Sequence, residues 1–265
     1  MLGAIIGDIV GSVYEFNNIK TKDFDFWSDE CEFTDDTVMT AAVANAILKS
    51  VLVGKPEIFK KQLIDELHIF GEYYPNAGYG GMFSAWIRLR DDQPYNSYGN
   101  GSAMRVSPCG FIAKNLDEAL MLAKESAEVT HNHPEGIKGA QATAACIFLA
   151  KTGHTKEEIR KYTEEKFYKL DFTLDEIRDE YWFNETCQFT VPQAIEAFLE
   201  ADSFEDAIRN AISIGGDSDT LAAITGGIAE AFFGIPENMK ITALSYLDDV
   251  LKNVVTEFEK NIGSF

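Results

Sequence analysis

Cysteine, proline and basic residues are all scarce in this chain of 265 residues. The four cysteines are widely spaced with no C-x-x-C pair, which excludes a zinc knuckle and a thioredoxin-like redox site. They are also too few for a dense disulfide framework, which favours a reducing compartment. With only 7 prolines and 46% hydrophobic residues, the composition predicts a folded globular protein with a sizeable core rather than a disordered chain.

Positive charge is particularly short, because 23 Lys and Arg face 43 Asp and Glu, for a formal net charge of −20. Such a surface repels nucleic acid and anionic lipid, so we expect neither as a partner. No uncharged run approaches the roughly 18–20 residues of a membrane helix. The apolar opening at 1–13 carries Asp8 and lacks a basic leader, so it does not predict a signal peptide, and we expect a cytoplasmic protein.

What the sequence does contain is helical periodicity along most of its length, with almost no period-two alternation. The predicted helices cover 37–52, 57–74, 116–129, 134–153, 157–170, 191–201, 203–213, 220–234 and 240–260. Pro134 stands where a first helical turn tolerates it, and Thr155 with Glu158 forms a capping-box pattern. We therefore predict an all-α protein of about ten helices, in one domain over 1–265.

Glycine recurs inside two apolar segments, GAIIGDIVGS and GGDSDTLAAITGG. A glycine within a helix costs about 1 kcal/mol relative to alanine. Repeated glycines therefore predict a close backbone approach, either to another helix or to a ligand.

Two acidic clusters precede long apolar helices: FTDDT at 33–37 and GGDSDT at 215–220. Each could simply cap a helix, because Ser, Thr and Asp accept hydrogen bonds from free amides and a helix N-terminus favours negative charge. Each cluster, however, offers more oxygens than one cap needs. Burying unpaired carboxylates would cost roughly several kcal/mol of folding free energy per ion, and a bound cation would remove that cost.

Oxygen ligands without a neighbouring cysteine suit hard cations, namely Mg²⁺, Mn²⁺ or Ca²⁺. An EF-hand loop beginning at Asp217 fails, because Ala222 replaces its glycine and Ile228 its final glutamate. Two acidic clusters could instead hold a pair of ions about 3.5–4 Å apart, as in binuclear hydrolases.

Five blocks of the sequence resemble, in order, the motifs of the ADP-ribosylglycohydrolase family. The blocks are GAIIGDIVGSVYE (3–15), FTDDTVM (33–39), SYGNGSAMRVSP (97–108), THNHPEG (130–136) and IGGDSDTLAAITGGIAEAFFG (214–234). The family includes dinitrogenase-reductase-activating glycohydrolases and hydrolases of ADP-ribosyl-arginine and ADP-ribosyl-serine. The resemblance spans nearly the whole chain and implies an all-α orthogonal helical bundle with two divalent ions, Mg²⁺ or Mn²⁺.

The resemblance also implies roles for acidic residues. Positions that match the family's metal ligands are Thr34, Asp35, Asp36, Asp217, Asp219 and Thr220. Glu15 matches an acidic residue that approaches the metals from a mobile loop in several members. We rank Asp35 first and Glu15 second as the base that deprotonates the attacking water.

A substrate loop is expected between the two clusters. The resemblance implies that its ADP-ribose contacts are Ser97, Tyr98, Gly99, Asn100 and Gly101, with His131 of the following block matching a family position near phosphate and ribose. Glycines let backbone amides approach a phosphate, and the tyrosine ring offers a face to a base; a tight turn alone would also explain the glycines. Arg105 fits either a phosphate contact or an internal salt bridge. Metal ligation by His131 or His133 is disfavoured by the oxygen ligands elsewhere.

The expected reaction is hydrolysis of the bond between ribose C1″ and the modified group, with ADP-ribosyl-arginine on a protein as the first candidate substrate. Alternatives are ADP-ribosyl-serine, poly-ADP-ribose, a small ADP-ribosylated metabolite, or a catalytically idle relative that binds ADP-ribose. The loops at 16–30 and 171–190 should read the leaving group but contain no recognisable motif. Acids between 23 and 32 could attract a guanidinium or simply be solvated. Nothing in the sequence indicates the oligomeric state.

Overall fold

The computed structural model describes residues 1–262, and helices dominate them. Fifteen α-helices occur in this range: α1 Leu2–Gly11, α2 Asp35–Lys49, α3 Phe59–Tyr73, α4 Gly81–Leu89, α5 Gly101–Met104, α6 Ser107–Ile112, α7 Leu116–Glu128, α8 Pro134–Lys151, α9 Lys156–Lys166, α10 Leu174–Ile177, α11 Cys187–Leu199, α12 Phe204–Ser213, α13 Ser218–Phe233, α14 Glu237–Tyr246 and α15 Asp249–Ile262. Within 1–262 the one β-type pairing is an isolated bridge between Gly99 and Thr186. The all-α prediction is confirmed.

The number of helices was underestimated. The sequence prediction omitted α1 and the short helices α4, α5, α6 and α10. It also treated 240–260 as one segment, whereas α14 and α15 are separated at Leu247, which is extended, and Asp248, which accepts a hydrogen bond from the Leu251 amide at 3.0 Å. Short helices hold too few residues to show a period, and a side-chain cap between two consecutive helices gives no strong break in the sequence.

Local signals at helix ends were more informative. Thr155 and Glu158 form the predicted capping box at the start of α9, and Pro134 occupies the first turn of α8. Helix α11 begins at Cys187, four residues before the predicted start, so Pro192 lies inside it. The missing amide of Pro192 leaves one backbone carbonyl of the preceding turn without its helical partner.

Close packing of α1 against α13 explains the recurring glycines. Gly3, Gly7 and Gly11 lie on one face of α1, and a methyl group at any of them would overlap the backbone of α13. At Gly7 the collision is with the carbonyl of Ala222, and at Gly11 with the backbone of Asp219. The close approach predicted from these glycines is therefore helix against helix, and it brings α1 directly beside the second acidic cluster.

The N-termini of α2 and α13 meet beside α1, and both helices are buried over most of their length. The Thr34 side chain caps α2 by accepting a hydrogen bond from the Asp36 amide. Two glycines with positive φ, Gly215 and Gly216, form the sharp turn into α13. Asn18 holds this turn from outside, donating to the Gly216 carbonyl at 2.8 Å and accepting from its amide at 2.7 Å.

Candidate active site

Five carboxylates meet where α1, α2 and α13 converge. They form two groups whose oxygen atoms lie within 4.8 Å of one another: Asp8, Asp36 and Asp219 in the first, and Glu15, Asp217 and Asp219 in the second. We call these groups the inner triad and the outer triad. Asp219 belongs to both, so the two acidic clusters predicted to come together do so through one shared side chain.

Asp8 was not among the predicted site residues. It lies in the middle of α1, fully buried, and the N-terminus of α2 surrounds its carboxylate. The Thr34 amide donates to it at 2.9 Å, the Thr34 hydroxyl at 2.6 Å and the Thr37 amide at 3.0 Å. The signal that could have identified it was an acid inside an otherwise apolar helix, because such a charge is rarely buried without a partner.

Asp36 provides the clearest test of whether the site suits a cation. Its Oδ2 accepts a hydrogen bond from the Thr220 hydroxyl at 3.1 Å, while its Oδ1 is buried and has no hydrogen-bond partner among the described residues. No lysine or arginine of residues 1–262 forms an ion pair with either triad. Five acidic side chains with an orphaned buried oxygen fit hard divalent ions, which prefer carboxylate ligands.

Burial dominates the electrostatics of both triads. It raises the pKa of Asp36 and Asp219 well above the usual aspartate value, with repulsion from neighbouring carboxylates adding to the effect, and it also raises the pKa of Asp8. For the same reason the pKa of Asp217 rises to about 6 and that of Glu15 to about 8. Without a cation, the cluster therefore retains protons that isolated carboxyl groups would have lost at neutral pH.

The triads lie at one side of a cavity of about 220 Å³. Asp35, predicted as a ligand and as the base, lines this cavity but belongs to neither triad. Burial and the nearby Asp219 raise its pKa well above the usual value. Thr34 does not line the cavity, since its hydroxyl donates to Asp8. Thr220 does line it, next to Asp36.

Most of the predicted substrate loop faces the same cavity. The lining includes Ser97, Gly99, Asn100, Gly101 and His131. Tyr98 is not part of the lining; its ring packs against His133, with centroids 5.2 Å apart, and is half exposed.

Asn100 has a structural bond that the sequence did not indicate. Its side-chain amide donates to Asp217 Oδ2 at 2.7 Å and to the Thr190 hydroxyl at 3.2 Å. The substrate loop and the outer triad are thus fastened together, and the side-chain amide predicted for substrate is already used by Asp217.

Arg105 lines the cavity and is almost completely buried. Its guanidinium donates to the Ser126 carbonyl at 2.7 Å and to the Thr130 hydroxyl at 2.8 Å. The internal salt bridge considered as one alternative does not form within 1–262, because no described carboxylate pairs with it. His133 caps α8 by accepting from the Glu135 amide at 3.1 Å and stays outside the cavity lining.

Comparison with known proteins decides the family. A sequence profile of the ADP-ribosylglycohydrolase family matches residues 1–262. The chain belongs to this family. The family membership predicted from the five motif blocks is therefore confirmed. Members of this family are known to use divalent metals.

Individual relatives are distant in sequence, but the similarity to them extends along most of their length. ADP-ribosylhydrolase ARH3 of Mus musculus is 26% identical, with 89% of this chain and 83% of that protein covered. ADP-ribosylarginine hydrolase Tri1 of Pseudomonas putida (strain GB-1) is also 26% identical, with 89% and 70% covered. This member of the family is therefore 26% identical both to an ADP-ribosylhydrolase ARH3 and to an ADP-ribosylarginine hydrolase.

A solved structure described as an ADP-ribosylglycohydrolase-related protein complex shares the fold. It superposes with a TM-score of 0.68 at 21% identity and covers 98% of this chain and 97% of its own. That likeness confirms the predicted bundle architecture. Among the helices of 1–262, none combines the length and the apolar character needed to cross a bilayer.

Proposed function

We propose that this protein is a hydrolase that uses two divalent ions, Mg²⁺ or Mn²⁺, to cleave the glycosidic bond between ADP-ribose and a modified group. The observation that supports this proposal is the pair of triads sharing Asp219 beside a cavity, with Asp36 Oδ1 buried and without a partner. A protein without ions would retain this charge cluster only at a cost in stability.

The ligands proposed from the sequence are Thr34, Asp35, Asp36, Asp217, Asp219 and Thr220, to which the geometry adds Asp8 and Glu15. When bound, the ions would supply positive charge that orients the ribose hydroxyls and lowers the pKa of water. Thr220 keeps Asp36 oriented by donating to Oδ2, and Asn100 does the same for Asp217. An oxocarbenium-like transition state at C1″ would be stabilised by the surrounding carboxylates.

For the base that deprotonates water, we propose Asp35 first and Glu15 second. Asp35 lines the cavity and belongs to neither triad, and bound cations would lower its raised pKa so that its carboxylate could accept a proton. Single-turnover rates of Asp35→Asn and Glu15→Gln, each shown to retain metal, test the ranking. Chemistry at the normal rate in the Asp35 variant would reject it.

For substrate contact we propose Ser97, Gly99, Asn100, Gly101 and His131 of the cavity lining, with Tyr98 at its edge. Asn100 has its side-chain oxygen left for this contact, because its amide nitrogen donates to Asp217 and Thr190. The glycines leave room for a ligand close to the backbone amides, which suits a phosphate. Tyr98, half exposed and with its ring tilted against that of His133, could add a base-stacking face only from outside the lining.

ADP-ribosyl-arginine on a protein remains the first candidate substrate. Glu15 and Glu185 both line the cavity, and the exposed ring of Phe16 stacks on Phe183 with centroids 6.2 Å apart. Carboxylates beside exposed aromatic faces suit a guanidinium, which both groups attract. The similarity to the relative named ADP-ribosylarginine hydrolase Tri1 supports the same choice. The alternatives are ADP-ribosyl-serine, poly-ADP-ribose, a small metabolite, or an idle protein that only binds ADP-ribose.

One experiment tests activity and linkage together. The protein is incubated with Mg²⁺ or Mn²⁺, and then with chelator, on arginine-linked and serine-linked ADP-ribosyl peptides, and released ADP-ribose is measured. We expect metal-dependent release from the arginine-linked peptide. Release from the serine-linked peptide alone would contradict the proposed arginine linkage. Absence of released ADP-ribose from both peptides would favour a metabolite substrate or the catalytically idle form. We propose that the reaction takes place in the cytoplasm, and the four free cysteines suit a reducing compartment.

A further inference from the structure

A chain of buried hydrogen bonds connects two residues of the cavity lining, Arg105 and His131. The Arg105 guanidinium nitrogen Nη2 lies 2.8 Å from the Thr130 hydroxyl, and that hydroxyl lies 2.8 Å from His131 Nδ1. All three side chains are at least nine-tenths buried. A buried guanidinium without a carboxylate is costly, so its placement beside a histidine calls for an explanation.

The protons in this chain can be assigned by counting donors. A guanidinium can only donate, so the Thr130 oxygen accepts from Arg105. The buried hydroxyl proton of Thr130 then needs an acceptor of its own, and His131 Nδ1 is the acceptor that the described residues place at hydrogen-bond distance from it. The other proton of Arg105 Nη2 is used by the Ser126 carbonyl at 2.7 Å. Tyr95 also lies near Thr130, and burial raises its pKa to about 12, so its hydroxyl keeps its proton.

His131 is neutral in this arrangement. Burial, together with the nearby charge of Arg105, lowers its pKa well below the usual histidine value. A neutral imidazole carries one proton, and if Nδ1 accepts, that proton is on Nε2.

The Nε2 atom faces the glycine loop. A methyl group at Gly101 would lie 3.1 Å from Nε2, and one at Gly99 would lie 3.6 Å from it. Both glycines and His131 line the cavity. An N–H group at Nε2 is therefore presented at the point where the loop leaves space.

We propose that Arg105 and Thr130 are positioning residues that fix His131 as the Nε2–H tautomer, so that it presents a hydrogen-bond donor to an acceptor oxygen of the bound substrate. The identity of that substrate rests on the proposed function. The tautomer itself is a property of the protein without ligand, so the two claims can fail separately.

The tautomer can be read by NMR. The full-length protein is labelled with ¹⁵N, and long-range ¹H–¹⁵N correlations of the histidine rings are recorded near pH 7, with His131→Gln identifying the His131 signals among four histidines. We expect the wild-type ring to be protonated at Nε2 alone. Thr130→Val should lose this preference, and Thr130→Ser should restore it, because serine keeps the hydroxyl.

A matched control is Thr143→Val. Thr143 is as deeply buried as Thr130, but its hydroxyl donates to the Gly139 carbonyl at 3.0 Å and takes no part in the chain. Its loss should leave the His131 signals unchanged. A merely structural role for Thr130 predicts the same small effect on the ring in both valine variants.

Affinity for ADP-ribose gives the second readout. Losing one oriented hydrogen bond should raise the Kd by about fivefold in Thr130→Val and leave it near the wild-type value in Thr130→Ser. A proton on Nδ1 in the wild type, or an unchanged ring in Thr130→Val, would overturn the proposal. If the valine variant does not fold, the wild-type and serine spectra alone decide. An Nε2–H ring in a protein that does not bind ADP-ribose would support the positioning role and refute the proposed function.

Discussion

Replacing Asp219 by asparagine removes one charge from both triads at once, which makes it the most informative single substitution in this protein. Asparagine keeps an oxygen that can accept the hydrogen bond from the Thr220 amide, 2.9 Å long in the wild type. The change in charge is therefore largely separated from a change in packing. We expect the substitution to stabilise the metal-free protein against unfolding and to reduce its stabilisation by metal.

The magnitudes follow from the spacing of the carboxylates. Two unit charges 4.8 Å apart repel by about 3.5 kcal/mol at an effective dielectric constant of 20. Retained protons cancel part of this repulsion, so we expect Asp219→Asn to stabilise the metal-free protein by about 1–2 kcal/mol at pH 8, or roughly 2–8 °C in Tm. In the wild type, metal at 100 times its Kd should add about 2.7 kcal/mol. The variant should lose most of that gain.

Thermal unfolding, with chelator and with Mn²⁺, measures both effects. Asp65→Asn is the control, because Asp65 is an exposed acid outside the site and its replacement should change neither value. A variant that is less stable than wild type with chelator, or that keeps the full stabilisation by Mn²⁺, would refute the reasoning.

Three further predictions use the packing and the charges of the site. Gly7→Ala should destabilise the protein by about 3 kcal/mol or more in denaturant unfolding, because the methyl group meets the Ala222 carbonyl. The control Gly81→Ala, which has open space around it, should change the free energy of unfolding by less than about 1 kcal/mol. Equal effects would contradict the packing of α1 on α13. The Tm of the metal-free protein should fall between pH 5 and pH 8, while its stabilisation by Mn²⁺ grows. The reason is that carboxyl groups with a raised pKa, about 8 at Glu15, bind more protons in the folded than in the unfolded protein. A Tm that rises over this range would contradict the raised pKa values. Glu185→Gln should raise KM for an arginine-linked peptide by about three- to tenfold and change it little for a serine-linked one, and an equal change for both would show that Glu185 does not read the leaving group.

Amphipathic periodicity made the longer helices of this fold predictable. Helices α2, α3, α7, α8, α9, α12 and α13 all overlap segments identified from spacing and caps. Helix α1 was missed because its glycines lower helix propensity, and the reason for them lies in a partner more than two hundred residues away.

The two acidic clusters could be identified because each is local and stands before an apolar helix. That the two clusters meet at Asp219, and that Asp8 of a third helix joins them, depends on the tertiary structure. A single aspartate within an apolar helix signals burial but does not identify its neighbours. Sequence alone therefore predicted two groups of ligands but not the side chain that α1 adds to them.

Contacts among the residues of the cavity lining could not be predicted for the same reason. Asn100 bonds Asp217 across 117 positions of sequence, and Arg105 reaches Thr130 rather than a carboxylate. In a chain with so many acids, a salt bridge was a reasonable expectation for any arginine. Only the packed structure shows that this guanidinium is enclosed by a carbonyl and a hydroxyl.

An anomalous-scattering map from a crystal grown with Mn²⁺ tests the central claim most directly. We expect two peaks about 3.5–4 Å apart, one beside the inner triad and one beside the outer triad, with Asp219 reaching both. Asp36 Oδ1, which has no partner among the protein's described groups, should contact one of them. A map at saturating Mn²⁺ with no peak at these carboxylates would contradict the account.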